Sequence, residues 1–212
     1  MPLSSCLLSV DQLHALSPPE RAALRPAAER YPLRAPRSYL SRIDWTDPGD
    51  PLRRLVVPHP VDLARGGRPD PSDGAAYTRA PGLQHKYPST ALLLVTDRCA
   101  GYCRHCFRKR LFTDPGGEAV RDLGPALDYI RAHREITNVL LTGGDALTLP
   151  TPRLARIVAQ VAEIPHVRAV RIGSKVPAYD PGRILRDPAL RAMVRATVRP
   201  DLRLFLMAQF NH

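Results

Sequence analysis

Ala91-Leu92-Leu93-Leu94-Val95-Thr96-Asp97-Arg98-Cys99-Ala100-Gly101-Tyr102-Cys103-Arg104-His105-Cys106 runs from an unbroken apolar segment directly into three cysteines spaced Cys-x3-Cys-x2-Cys. A short apolar run followed by polar and turn-forming residues predicts a strand buried on both faces. The thiols then sit in the loop at the strand's C-terminal end, where α/β folds place their chemistry.

The pattern continues downstream as alternating strands and helices. Val120, Leu123, Leu127 and Ile130 share one face of a helix expected over Val120 to Ala132, followed by a strand at Val139 to Leu141. A second helix is expected from about Thr151 to Glu163, with Thr151-Pro152 as cap and first-turn proline, then a strand at Ala169 to Ile172. A third helix over Ile184 to Thr197 and a strand at Leu202 to Met207 complete the series. This order predicts an α/β fold of about four parallel βα units. An open parallel sheet leaves a backbone edge unpaired, so these units read as part of a larger fold.

Upstream, Val10, Leu13, Leu16, Ala22, Ala23 and Ala27 have helix-like spacing, and Pro18-Pro19-Glu20 reads as a helix start. The segment from Asp47 to Pro81 is dense in Pro, Gly and Asp, which predicts loop or coil. The expected organisation is an N-terminal extension and linker over 1–81 and a core domain over 82–212.

The 212 residues carry 31 Lys and Arg against 20 Asp and Glu, a net charge of +11. The excess is arginine scattered among Ala and Pro, with lysine only at Lys86, Lys109 and Lys175. No basic run is interleaved with aromatics that could stack on bases, so nucleic acid is not the expected partner. No stretch approaches the roughly 18–20 apolar residues of a membrane span, and the N-terminus lacks the order of a signal peptide. No membrane partner and a cytoplasmic location are the expectation. Four cysteines with three clustered do not form a disulfide framework, and Cys6 stands apart.

Three thiolates with no nearby fourth cysteine suit a [4Fe–4S] cluster with one iron left open for a ligand. A Cys3His zinc site using His105 is a second reading, although adjacent His105 and Cys106 are poorly placed to reach one tetrahedral ion. Three unrelated structural thiols are a third.

The string Tyr102-Cys103-Arg104-His105-Cys106-Phe107-Arg108-Lys109-Arg110 resembles the radical S-adenosylmethionine (SAM) superfamily, and within it the lysine 2,3-aminomutase family. The resemblance extends through Gly82-Leu83-Gln84-His85-Lys86-Tyr87-Pro88, Leu141-Thr142-Gly143-Gly144-Asp145-Ala146-Leu147, Ile164-Pro165-His166-Val167, Arg171-Ile172-Gly173-Ser174-Lys175-Val176-Pro177 and Phe210-Asn211-His212. It implies a partial (β/α) barrel of radical SAM type. It also implies an isomerase whose [4Fe–4S] cluster, on Cys99, Cys103 and Cys106, cleaves SAM to a 5′-deoxyadenosyl radical. That radical would drive a pyridoxal phosphate (PLP)-assisted 2,3-migration of an amino group on an amino-acid substrate, with an external protein or reagent as electron donor.

By motif position Gly143, Gly144 and Asp145 would bind SAM, Asp145 offering an acceptor for an ammonium group. Arg171 and Ser174 would hold its ribose or carboxylate, and Tyr102 would lie near its adenine or else serve as a core aromatic. Arg108 would bind the substrate carboxylate, and Lys86 and Tyr87 would lie near the PLP phosphate. The family's PLP lysine has no counterpart here. Thr90 and Gln209 replace an arginine and a histidine common in relatives, and the acidic residues that select the substrate are also missing. A truncated or split-enzyme fragment acting through a second copy or a completing chain is therefore the alternative reading.

Overall fold

The computed structural model describes residues 6–64, 68, 70–113 and 117–211. His212, the last residue of the terminal motif, lies outside them, as do residues 65–67 and 69 of the Pro-rich segment.

A two-residue pairing of β1 (Cys6–Leu7) with β2 (Ala35–Pro36) brackets the first helix, α1 (Pro18–Arg30). That helix starts where Pro18-Pro19-Glu20 predicts. The Ser17 amide donates to Glu20 Oε2 at 2.8 Å while the Glu20 amide reaches back to Ser17 Oγ at 3.4 Å, a capping box worth about 1 kcal/mol. One turn, α2 (Arg37–Leu40), follows.

The segment expected as coil is more ordered than its composition suggests. It contains α3 (Pro51–Val56), two 3-10 turns at Pro60–Leu63 and Ala75–Tyr77, and β3 (Thr78–Ala80). Asp50 caps α3 by accepting the Arg53 amide at 2.7 Å, so Asp50-Pro51 is a helix start within a turn-rich composition.

β4 (Leu83–Tyr87) and β5 (Thr90–Thr96) form an antiparallel hairpin, with β3 outside it. Past the cysteine loop come α4 (Arg110–Thr113), α5 (Gly124–Ala132) and β6 (Asn138–Gly143). Then follow α6 (Thr151–Ala162), β7 (Ala169–Ser174), α7 (Val176–Tyr179), α8 (Gly182–Leu185), α9 (Pro188–Thr197) and β8 (Arg203–Ala208). The six-stranded sheet runs β3-β4-β5-β6-β7-β8, and its last four strands are parallel and in sequential order. The result is a mixed α/β fold with the four parallel strands expected, extended by a hairpin that the sequence did not announce.

Several expected boundaries move for local reasons. The helix expected from Val120 begins only at Gly124, because the Val120 amide is held by the Leu94 carbonyl at 2.7 Å. Val120 also packs on Gly82, whose φ of +73° and contact with the Val120 backbone leave no room for a side chain. The third helix divides into α8 and α9 at Asp187-Pro188, where Asp187 caps α9. Thr151 is not a cap: Pro150 holds that position, and the Thr151 hydroxyl donates to Asp187 at 2.6 Å. Arg183, buried beside them, donates to the Leu147 and Leu149 carbonyls and to Asp187. That network fixes the turn leading into α6.

β5 buries Ala91, Leu93, Leu94 and Val95, and α6 buries Leu154, Ile157, Val158 and Val161. Full burial of such side chains contributes about 1.5–3 kcal/mol each. A single apolar cluster runs from Leu7 to Leu202, so the N-terminal elements pack on the same core as the sheet. β8 is the sheet's far edge, and there Phe205, Leu206 and Met207 stay nearly half exposed. Among the described residues, no helix is long and apolar enough to cross a membrane.

Candidate cluster and cofactor site

Cys99, Cys103 and Cys106 lie beyond the C-terminal end of β5, all partly buried and none in a disulfide. The N-terminal elements hold this loop by its backbone. Arg34 Nε donates to the Cys99 carbonyl at 2.7 Å and the Tyr102 amide to the Arg34 carbonyl at 2.8 Å. The Arg104 amide meets the Leu55 carbonyl at 2.9 Å, while the Arg104 guanidinium grips Asp62 bidentately at 2.7 and 2.8 Å.

Two of the three sulfurs have close polar partners. Cys103 Sγ lies 3.1 Å from the Tyr179 hydroxyl and 3.3 Å from Lys175 Nζ, and the Arg108 amide donates to Cys106 Sγ at 3.4 Å. Burial, then Asp145 and the other two thiols, push the Cys99 thiol well up, and burial also raises Cys106. Thiols crowded and desolvated in this way gain from a cation that supplies the missing charge. Among the described residues no three His, Cys, Asp or Glu side chains converge on a single ion position. A four-iron cluster asks for something else, one thiolate on each of three irons, and the donor set fits that demand. His105 is exposed, and its Nε2 lies 3.5 Å from the same Lys175 Nζ that meets Cys103 Sγ at 3.3 Å.

The ends of β6 and β7 close against this loop. The Gly144 amide bonds the Thr96 carbonyl at 2.6 Å and the Asp145 amide bonds the Arg98 carbonyl at 2.8 Å. A Cβ on Gly143, whose φ is +106°, would strike the Thr96 carbonyl, and one on Gly144 the Arg98 carbonyl. The glycines thus allow close approach of the cysteine loop's own backbone, where the sequence suggested approach of a ligand.

The reading of Asp145 as a free acceptor for an ammonium group needs correction. The carboxylate is only 4% exposed and already accepts four bonds. Ser174 Oγ and the Leu147 amide meet Oδ1 at 2.7 and 3.0 Å, and the Lys175 and Val176 amides meet Oδ2 at 2.7 and 3.1 Å. Burial pushes its pKa up against the pull of these donors. Asp145 and Ser174 together tie the end of β6 to the end of β7.

Other expected residues separate by position. Arg171 lies level with Leu140, and its Nε donates to Asn138 Oδ1 at 2.9 Å, toward the start of β6 and away from the cysteines. The structure does not bring its side chain to the cysteine loop. Lys86 and Tyr87 occupy the β4–β5 turn, where Tyr87 pairs with Thr90, again at the end opposite the cluster loop. Lys86 Nζ sits 4.6 Å over the Tyr77 ring and donates to the Ser72 carbonyl. Tyr102 stacks on Phe112 at 4.0 Å with Arg34 5.9 Å from its ring, so one ring face is already covered.

Arg108-Lys109-Arg110 is not a solvated turn. Arg110 pairs with Glu118 and Asp70, and Lys109 Nζ donates to the Arg104 carbonyl. Arg108 is buried, with one long side-chain hydrogen bond, 3.5 Å to Gln84 Oε1, and its guanidinium 5.2 Å over the Phe107 ring, while its Nε and Nη1 are buried without a hydrogen-bond partner. Burial, then Arg110, lower its pKa. A cleft of about 700 Å3 opens beside Cys106, Phe107 and Arg110, and one of about 530 Å3 beside Arg104, His105 and Asn211, both within the size range of small-molecule sites.

Tyr179, Lys175, Arg34 and Asp62 join the site without having been singled out as site residues. Lys175 could have been found as one of three lysines in an arginine-rich chain; Tyr179 and Asp62 carry no local signal.

No protein-family model matches the chain. It is 49% identical over 194 residues to "Putative L-lysine 2,3-aminomutase" of Aquifex aeolicus, covering 91% of this chain and 52% of that protein. It is 41% identical to L-lysine 2,3-aminomutase of Clostridium subterminale, covering 82% of this chain and 41% of that one. With glutamate 2,3-aminomutase of Clostridioides difficile it shares 35% identity over 86% of this chain and 44% of the relative. The chain spans about half the length of the curated relatives it matches. Across that span, the sequence belongs to the lysine 2,3-aminomutase family of the radical SAM superfamily.

Proposed function

We propose that this chain forms the cluster-binding and SAM-binding part of a radical SAM aminomutase, an isomerase that moves an amino group between carbons 2 and 3 of an amino acid. The observation carrying the reading is the gathering of three uncommitted thiols, with donors on two of the sulfurs, against the joined ends of β5, β6 and β7. A [4Fe–4S] cluster held here, with SAM beside it, would supply the radical that starts the reaction, which is cofactor chemistry.

The protein's part is to hold and orient. Cys99, Cys103 and Cys106 would hold the cluster, and the Gly143-Gly144 backbone, with Ser174 and Asp145 bracing it, would shape the wall against which SAM sits. Tyr102 bounds that site from the loop side. Arg108 takes the substrate carboxylate: its Nε and Nη1 are buried without a partner, and a carboxylate oxygen supplies the acceptor that such a donor lacks. The electron comes from an external donor. The elements over 1–81 act as a clamp on a core domain that extends from 82, and the parallel strands are part of a (β/α) barrel.

PLP does not fit the residues present. Lys86 and Tyr87 are at the wrong end of the sheet, and Lys175 is engaged at Cys103. No step through PLP is derived. The exposed apolar edge at β8 favours a second reading, in which another polypeptide segment continues the sheet and supplies the rest of the active site. The test is anaerobic reconstitution with iron and sulfide, then SAM and dithionite. The expected result for this chain alone is 5′-deoxyadenosine without a rearranged amino acid. A fully loaded chain that neither binds nor cleaves SAM would contradict the proposal.

A further inference from the structure

Cys103 takes two side-chain donors, both from the segment that follows β7. Lys175 is a long flexible ammonium that also bonds Asn211 at 2.6 Å. Tyr179 is different: its side chain is fixed. It is 1% exposed and packs edge-to-face on Tyr39 at 4.8 Å and 67°. Its ring lies over Gly101, where a Cβ would stand 3.0–3.2 Å from the ring carbons. Its hydroxyl is thereby held 3.1 Å from Cys103 Sγ.

We infer that Tyr179 is a positioning residue for the iron–sulfur cluster, fixing the Cys103 sulfur through an O–H···S bond and raising the cluster's reduction potential. The inference rests on the cluster reading above. A metal-bound thiolate offers only lone pairs and a tyrosine keeps its proton at neutral pH, so the phenol is the donor. Reduction adds negative charge that spreads onto the sulfur ligands, and a donor aimed at one of them stabilises the reduced state more than the oxidised. Buried away from water, the bond is neither screened nor exchanged for a solvent bond. Loss of the hydroxyl leaves the ring packing intact, so the effect is separable from folding.

The test is an EPR-monitored potential titration of the reconstituted chain and its Tyr179→Phe variant. The iron count should be unchanged, and at a fixed potential the ratio of reduced to oxidised cluster should fall about tenfold, a midpoint lower by about 59 mV for one electron. Tyr39→Phe removes a neighbouring hydroxyl that bonds the Leu52 carbonyl and not a sulfur; its midpoint should match wild type. Gly101→Ala, which pushes on the ring without removing the hydroxyl, should move the midpoint the same way by less, and serves if Tyr179→Phe loads poorly. An unmoved midpoint in both Tyr179→Phe and Gly101→Ala, or an equal shift in Tyr39→Phe, overturns the inference alone. A wild-type chain that takes up no cluster overturns the cluster reading and this inference with it.

Discussion

At their C-terminal ends, β5, β6 and β7 deliver three cysteines, a pair of glycines that admit only backbone, and Asp145 bonded across to β7. At the opposite end, the turn between β4 and β5 carries Lys86 and Tyr87, and Arg171 leans back on Asn138. The motifs on which the family resemblance rests therefore divide between two ends of one sheet. A contiguous motif can serve both, because strand polarity decides where each residue falls. In Gly82 to Pro88 the division occurs within a few residues: Leu83 pairs with Leu93 near the cysteine end, and Tyr87 pairs with Thr90 at the far end. Arg108 accordingly touches Gln84, while Lys86 is out of reach. The cysteine end is built to hold something; the other end holds the sheet together.

Substitutions that break the ties at the cysteine end should therefore cost both stability and cluster, and those at the far end should leave the cluster in place. Asp145→Asn should have the largest effect. An amide can face Ser174 and Leu147 with its oxygen, but its NH2 then confronts the Lys175 and Val176 amides; Val176 keeps Ser174 Oγ at 2.9 Å, and the Lys175 amide is left without its acceptor. We expect a loss of about 2–4 kcal/mol in chemical denaturation, together with slower cluster uptake. A variant as stable as wild type would show that the brace between β6 and β7 is dispensable.

Asp62→Asn should have a smaller effect, about 1 kcal/mol, because it unties the cysteine loop from the N-terminal elements at one ion pair. Burial alone would raise the Asp62 pKa, but the hydrogen bond from Arg104, the His59 amide and the nearby charges of Arg104 and Lys109 outweigh it, so the net shift is downward. A depressed folded-state pKa gives stability that is present above the unfolded carboxylate range and is lost as pH falls through the folded value. Denaturation midpoints of wild type and Asp62→Asn should accordingly converge in acid and separate toward neutral pH. Parallel curves would contradict this.

Lys86→Ala and Arg171→Ala should change cluster content hardly at all, as read by iron analysis. Loss of iron in either would mean that the two ends of the sheet are coupled in a way the hydrogen bonds do not show.

What the sequence made legible follows from how local each signal is. The apolar run of β5, the spacing of α6 and the Pro18-Pro19-Glu20 helix start specify their elements within a few residues, and all three form where expected. The hairpin partner of β5 was hidden because Gln84, His85 and Lys86 read as a polar motif, not as a strand. Asp62 and Tyr179 reach the site from 42 and 76 residues away from their partners Arg104 and Cys103, and no periodicity announces such contacts. Asp145 was found by its motif, but three of its four donors come from the consecutive residues Ser174, Lys175 and Val176, which reach it only in the folded chain. Arg108 is the opposite case, a motif residue whose buried, unpartnered atoms strengthen the role its position implies.

The central claim is that Cys99, Cys103 and Cys106, and not Cys6, hold a four-iron cluster. The direct measurement is iron and sulfide per chain after anaerobic reconstitution of wild type, Cys6→Ala and Cys103→Ala. The account predicts about four of each in the first two and loss of the cluster in the third. A Cys103→Ala chain that keeps a stable four-iron cluster would contradict it.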